Sequence, residues 1–67
     1  LQTDPEQISH LLHELRNSVG AACAAIAVAK RASERSDYAR TTLFISYAEE
    51  ACGTCRRLLI EASPLRE

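Results

Sequence analysis

PEQISHLLHELRNSVGAACAAIAVAKRAS, residues 5–33, decides how this chain folds. Ile8, Leu12, Leu15, Val19, Ala22, Ile26 and Ala29 recur at spacings of four, three, four, three, four and three. That alternation lines them along one side of a helix and matches the heptad seam of packed helices. Just before it, Thr3-Asp4-Pro5-Glu6-Gln7 has the chemistry of a helix start. Asp4 or Thr3 suits the N-cap, Pro5 the first helical position, and Glu6 or Gln7 the place where a capping box closes. The pattern predicts a first helix from about residue 5 to about residue 33, roughly 40 Å long at 1.5 Å per residue.

Ser33-Glu34-Arg35-Ser36-Asp37 has no apolar period, and Ser36 or Asp37 can cap a second helix. The turn is therefore expected at about 34–37. Beyond it Phe44, Ala48, Ala51, Cys55, Leu58 and Ala62 are spaced four, three, four, three and four, and Ile45, Tyr47 and Leu59 widen the stripe. The second helix is expected over about 38–62, because Pro64 disfavours helix at Ser63. Gly53 lies inside it at a cost of about 1 kcal/mol relative to Ala. Two long helices with a short connection form an antiparallel hairpin. Each stripe is wider than one partner helix covers. The expected fold is all-α, a helical hairpin that dimerises into a four-helix bundle, with one domain across residues 1–67.

Composition points the same way. Of 67 residues 46% are hydrophobic, yet the aromatics are only Tyr38, Phe44 and Tyr47, and much of the remainder is alanine. So short a chain buries a modest share of its surface alone, and association is the usual remedy. A net charge of −1 argues against a nucleic-acid binder. The longest uncharged run, Asn17 to Ala29, has thirteen residues, short of the roughly 20 that span a bilayer, so no membrane contact is expected of this segment. Three cysteines, an odd number, do not make a disulfide framework and lead us to expect a reducing, cytoplasmic setting. Leu1 at the start and the lack of Met lead us to expect a segment of a longer protein, which is free to carry a membrane anchor elsewhere.

With Leu12, Val19 and Ile26 in one core position and Ile8, Leu15, Ala22 and Ala29 in the other, His13 falls just off the seam and is expected to be accessible. Its side of the helix continues through Arg16, Asn17, Gly20, Ala24 and Ala27. An outward face normally carries Lys, Glu or Gln. Past Asn17 this one is smooth and apolar, as a surface that docks another protein's helix would be. The competing reading is that alanine simply favours helix. His13, Glu14 and Asn17 are close enough in spacing to project from one side. An exposed neutral imidazole can attack the γ-phosphate of ATP and hold the phosphoryl group, given in-line approach and a neighbour that takes the ring proton. Glu14 can be that neighbour, and Asn17 can hold a water that attacks an acyl phosphate on a docked partner. Arg16 can contact phosphate oxygens, although an outward arginine is more often just solvated. His10 has no carboxylate or amide partner at the same spacing as His13 and is assigned to solvent.

His13-Glu14-Leu15-Arg16-Asn17 resembles the H-box of sensor histidine kinases, in their dimerisation and histidine-phosphotransfer domain. The family pattern is His-Glu-Leu-Arg-Thr or Asn, then Pro-Leu, then a later apolar residue. Val19 takes the Leu place here and Ile26 the later one. The resemblance covers essentially the whole chain, since the family's domain is also a hairpin that dimerises into a four-helix bundle. It implies that His13 accepts a phosphoryl group, that Glu14 assists, and that Asn17 supports a phosphatase reaction on a partner response regulator. The strip of Gly20, Ala24 and Ala27, with Arg16 and part of helix 2, would dock that regulator's receiver domain. The resemblance further implies a homodimer in a cytoplasmic two-component pathway, with protein-histidine kinase activity that depends on the parent's ATP-binding domain. That domain, which holds ATP and Mg, is absent from this chain, so no cofactor is expected here. Ser18 stands where the family usually has a helix-bending proline, so helix 1 is expected to run straighter, with Gly20 restoring some compliance.

Cys52-Gly53-Thr54-Cys55 has the spacing of a thioredoxin-like dithiol, but that chemistry sits at a helix start in a mixed α/β fold. Cys55 fits the seam of helix 2, Cys52 its flank, and Cys23 lies opposite a point within about a turn of Cys52. Reduced cysteine acting as a small apolar residue is commoner. No histidine is in register to complete a zinc set, and no metal site is expected. Two other readings stand beside the phosphotransfer one: a non-catalytic helical dimerisation or docking module, and a thiol-based sensor bundle using Cys23, Cys52 and Cys55.

Overall fold

The computed structural model describes residues 4–62. Helix α1 spans Pro5–Glu34 and helix α2 spans Tyr38–Ala62. Asp4 is the N-cap of α1; its Oδ1 accepts from the Glu6 backbone N–H at 3.2 Å, and Pro5 opens the first turn. Thr3, the other candidate cap, and Pro64, the expected stop, lie outside the described residues.

The turn is built from hydrogen bonds. The Asp37 N–H donates to the Ala32 carbonyl and the Ser36 N–H to the Ser33 carbonyl, both at 2.9 Å. These two bonds make a Schellman motif, in which Ser36 at φ 59° takes the left-handed position more often given to glycine. Asp37 then caps α2, its Oδ1 accepting from the Arg40 N–H at 3.1 Å and its Oδ2 lying 3.6 Å from Arg40 Nε. Of the two candidate caps, Ser36 therefore makes the turn and Asp37 the cap. So tight a reversal sets the helices antiparallel.

On α1 the packed side differs from the expected seam. Leu11, Leu15, Ser18, Ala22, Ala25, Ala29 and Ala32 face α2; the four alanines are buried and the other three half-buried. Leu15, Ala22 and Ala29 belong to the expected seam. Ile8, Leu12, Val19 and Ile26, the rest of that expected seam, do not pack on α2 and remain 43%, 54%, 50% and 56% exposed. The reason is size. Two apolar rows run side by side on α1, and the alanine row lets the two backbones approach most closely. On α2 the expected row does pack, with Ala48 and Leu58 buried and Phe44, Ala51 and Cys55 half-buried, but Ala62 is exposed.

The outcome is a single layer of two helices measuring 51 × 23 × 11 Å. Its radius of gyration is 15.5 Å, against about 11 Å for a compact domain of this length. Among the described residues no large side chain is fully enclosed, and no helix is long and apolar enough to cross a membrane.

Candidate functional site

A layer has two broad faces, and the chain treats them differently. Residues one position after a seam residue are turned from it by about 100°. On α1 these are Leu12, Arg16, Val19, Cys23, Ile26, Lys30 and Ser33; on α2 they are Ile45, Glu49, Cys52, Arg56 and Leu59. Because the helices are antiparallel, the same step along each chain segment carries both rows to the same face. That face carries an apolar stripe with charged residues beside it, and none of the other described residues covers the stripe; Ile45 and Leu59 are 47% and 57% exposed.

Residues one position before a seam residue reach the opposite face. They include His10, Glu14, Asn17 and Ala21 on α1, and Tyr47, Glu50, Thr54, Arg57 and Glu61 on α2. Asn17, Ser18 and Ala21 meet Tyr47, Glu50, Ala51 and Thr54 around an open recess of about 410 Å³. The ring of Tyr47 stands edge-on to Phe44 with centroids 5.1 Å apart, and the Thr54 hydroxyl donates to the Glu50 carbonyl at 3.2 Å. Arg57 and Glu61 pair with each other at 3.6 Å. None of the helix 2 residues of this recess was picked out from sequence as lining a site; Tyr47 and Ala51 were read as part of the apolar stripe. Counting outward at equal steps from the turn would have found them.

His13 lies at the free outer edge of α1, two residues from Leu11 and two from Leu15, and is exposed. Asn17, four residues on, stands at the shoulder between this edge and the recess. Arg16, Gly20, Ala24 and Ala27 are exposed along the same edge. A Cβ added at Gly20 would meet nothing within 4 Å, so packing inside the hairpin does not require glycine there.

Glu14 is not beside His13 in the sense expected. Its Oε2 lies 3.1 Å from Nε2 of His10, in a pair whose side chains are 72% exposed for His10 and 44% for Glu14. His10 is exposed to solvent as expected, but it has the carboxylate partner that the sequence reading denied it. The cause is helical geometry. Adjacent residues diverge around the axis, whereas residues four apart stack, and long side chains lean back toward the N-terminus. The signal was present in sequence as the His10-to-Glu14 spacing. His13, Glu14 and Asn17 thus do not project from one side: His13 and Asn17 share the outer edge, and Glu14 is turned toward the recess face.

Cys23, Cys52 and Cys55 are free thiols, the first two exposed and the third half-buried. Among the described residues no three His, Cys, Asp or Glu side chains gather as a metal ion would need. At the turn, Val28, Arg31, Ala32, Arg35, Asp37 and Arg40 line a second recess of about 380 Å³. Comparison with known protein families, with characterised proteins and with solved structures finds no match to this chain.

Proposed function

We propose that this chain is the dimerising phosphotransfer segment of a two-component sensor histidine kinase. His13 would receive the ATP γ-phosphoryl group and pass it to an aspartate of a response regulator. The observation that carries the reading is the setting of His13: an exposed imidazole on a free helix edge, one turn before Asn17 and continuous with Gly20, Ala24 and Ala27. An in-line approach needs that openness. In the reaction the lone pair on one ring nitrogen attacks phosphorus, the bond to ADP breaks, and the proton on the other ring nitrogen leaves to a base. Glu14, next to His13 in sequence, is the carboxylate assigned to that task. ATP and Mg come with the ATP-binding domain of the parent protein, in the cytoplasm.

The proposed dimer follows from the uncovered face. A domain is normally two packed layers, and this chain supplies one, 11 Å thick. A second copy laid on Ile8, Leu12, Val19, Ile26, Ile45 and Leu59 covers these side chains and makes a four-helix bundle. The regulator's receiver domain is then left the outer edge, which carries Arg16, Gly20, Ala24 and Ala27, and the recess face, which carries Tyr47 and Thr54. Asn17 stands where both surfaces meet, suited to hold a water against the regulator's acyl phosphate.

The relay is tested with the parent's ATP-binding domain and a receiver domain present together. Phosphate should pass from ATP to this chain and then to the receiver. Asn17→Ala should slow receiver dephosphorylation by about tenfold to a hundredfold while sparing phosphorylation of His13. Equal loss of both would remove the role given to Asn17, and no transfer to any receiver would remove the relay.

A further inference from the structure

We propose that the recess at the turn binds a small phosphate monoester, its phosphate held by Arg31, Arg35 and Arg40 and its organic group laid on Val28. This site goes beyond the phosphotransfer reading and does not depend on His13. Val28, Arg31, Ala32, Arg35, Asp37 and Arg40 line a recess of about 380 Å³. That volume falls within the range of small-molecule pockets, about 300–1,000 Å³. The lining is confined to one short segment, so the recess offers no groove for a polypeptide. Val28 and Arg31 stand one position before the seam residues Ala29 and Ala32, and Arg40 one before the half-buried Thr41. The recess therefore belongs to the face opposite the apolar stripe, and a second copy laid on that stripe leaves it open.

Charge selects the ligand. Three arginines against one aspartate leave two positive charges in the recess. Asp37 lies 3.6 Å from Arg40, and among the described residues Arg31 and Arg35 have no ion-pair partner. Those two are four apart in sequence, a helical spacing at which like charges repel. The dipole of α1 favours cations at its C-terminal end, but that of α2 disfavours Arg40, the third residue of its helix. A dianion among the three arginines relieves the repulsion. A phosphate monoester carries close to two negative charges near neutral pH, and guanidinium groups match its oxygens in pairs. A carboxylate brings one charge and two oxygens, too few for three arginines. The floor suits an apolar group, since Val28 is half-buried and Ala32 buried.

Amide NMR titration of the 67-residue chain tests this, in about 0.1 M NaCl to screen distant charges. The probes are phenyl phosphate, inorganic phosphate and benzoate. Phenyl phosphate should saturate with a Kd of about 1 mM or lower and move amides of residues 28–40 most. Inorganic phosphate should move the same amides but bind several-fold more weakly, and benzoate should not saturate. Arg31→Gln, Arg35→Gln and Arg40→Gln should each weaken phenyl phosphate about twofold to fivefold, with circular dichroism confirming helicity. Arg56→Gln and Arg57→Gln, the same loss of charge elsewhere on α2, should leave its Kd unchanged. Val28→Ser should erase the preference for phenyl phosphate over inorganic phosphate. No saturation by phenyl phosphate, equal weakening by Arg35→Gln and Arg57→Gln, or benzoate bound as tightly as phenyl phosphate overturns the proposal.

Discussion

Two rows of apolar side chains run one residue apart along α1, and they have opposite fates. Ala22, Ala25, Ala29 and Ala32 are 7%, 6%, 6% and 4% exposed against α2, while Leu12, Val19 and Ile26 stay half exposed beside them. From Ala22 onward α1 packs on α2 with its smallest apolar residues, and the larger Val19 and Ile26 are left over. Burial is worth more for larger side chains, about 1.5–3 kcal/mol for each fully covered Val, Leu or Ile. The uncovered row therefore holds the greater part of the stabilisation this chain can gain, and only a second surface can supply it.

The contrast breaks most visibly at the uncovered row. Val19→Asp combined with Ile26→Asp should convert the proposed dimer to monomer in sedimentation velocity. Each change counts twice in a symmetric dimer, so the loss is roughly 6 kcal/mol or more. A native chain that sediments as a monomer, or a double variant that stays dimeric, would show that this row is not the interface. A smaller effect belongs to the packed row. Ala29→Leu should overfill the seam and lower stability by about 1–3 kcal/mol in urea denaturation. Ala24→Leu, the same change on the exposed outer edge, should stay within about 0.5 kcal/mol of neutral. Equal effects at the two sites would mean that the alanine row is not close-packed.

Much of this architecture is legible in sequence because it is local. Asp4 and Asp37 mark their helix ends through bonds to residues two to four positions away, and Pro5 does so by its fixed φ. The seam of α2 is legible for another reason: its row from Phe44 to Leu58 is the one that packs. On α1 the same method chose the wrong row in part. Hydrophobic periodicity weighs how apolar a side chain is, whereas close helix approach selects how small it is. Leu12, Val19 and Ile26 outweigh alanine on the first measure and lose on the second.

The site divides along the same line. The exposure of His13 follows from its place off both rows. The pairing of Glu14 with His10 was missed because adjacency in sequence was given more weight than the four-residue helical step. The recess that joins Asn17 to Tyr47, Glu50 and Thr54 depends on the register between two helices, which neither helix's own period contains.

The most direct test of His13 as phosphoryl acceptor is the position of the label after incubation with radiolabelled ATP and the parent's ATP-binding domain. The expected result is an acid-labile, base-stable label on His13, absent from His13→Ala and still present in His10→Ala. Label that survives His13→Ala would contradict it. So would no label under conditions where a control kinase labels its own substrate, which would leave the hairpin a structural module.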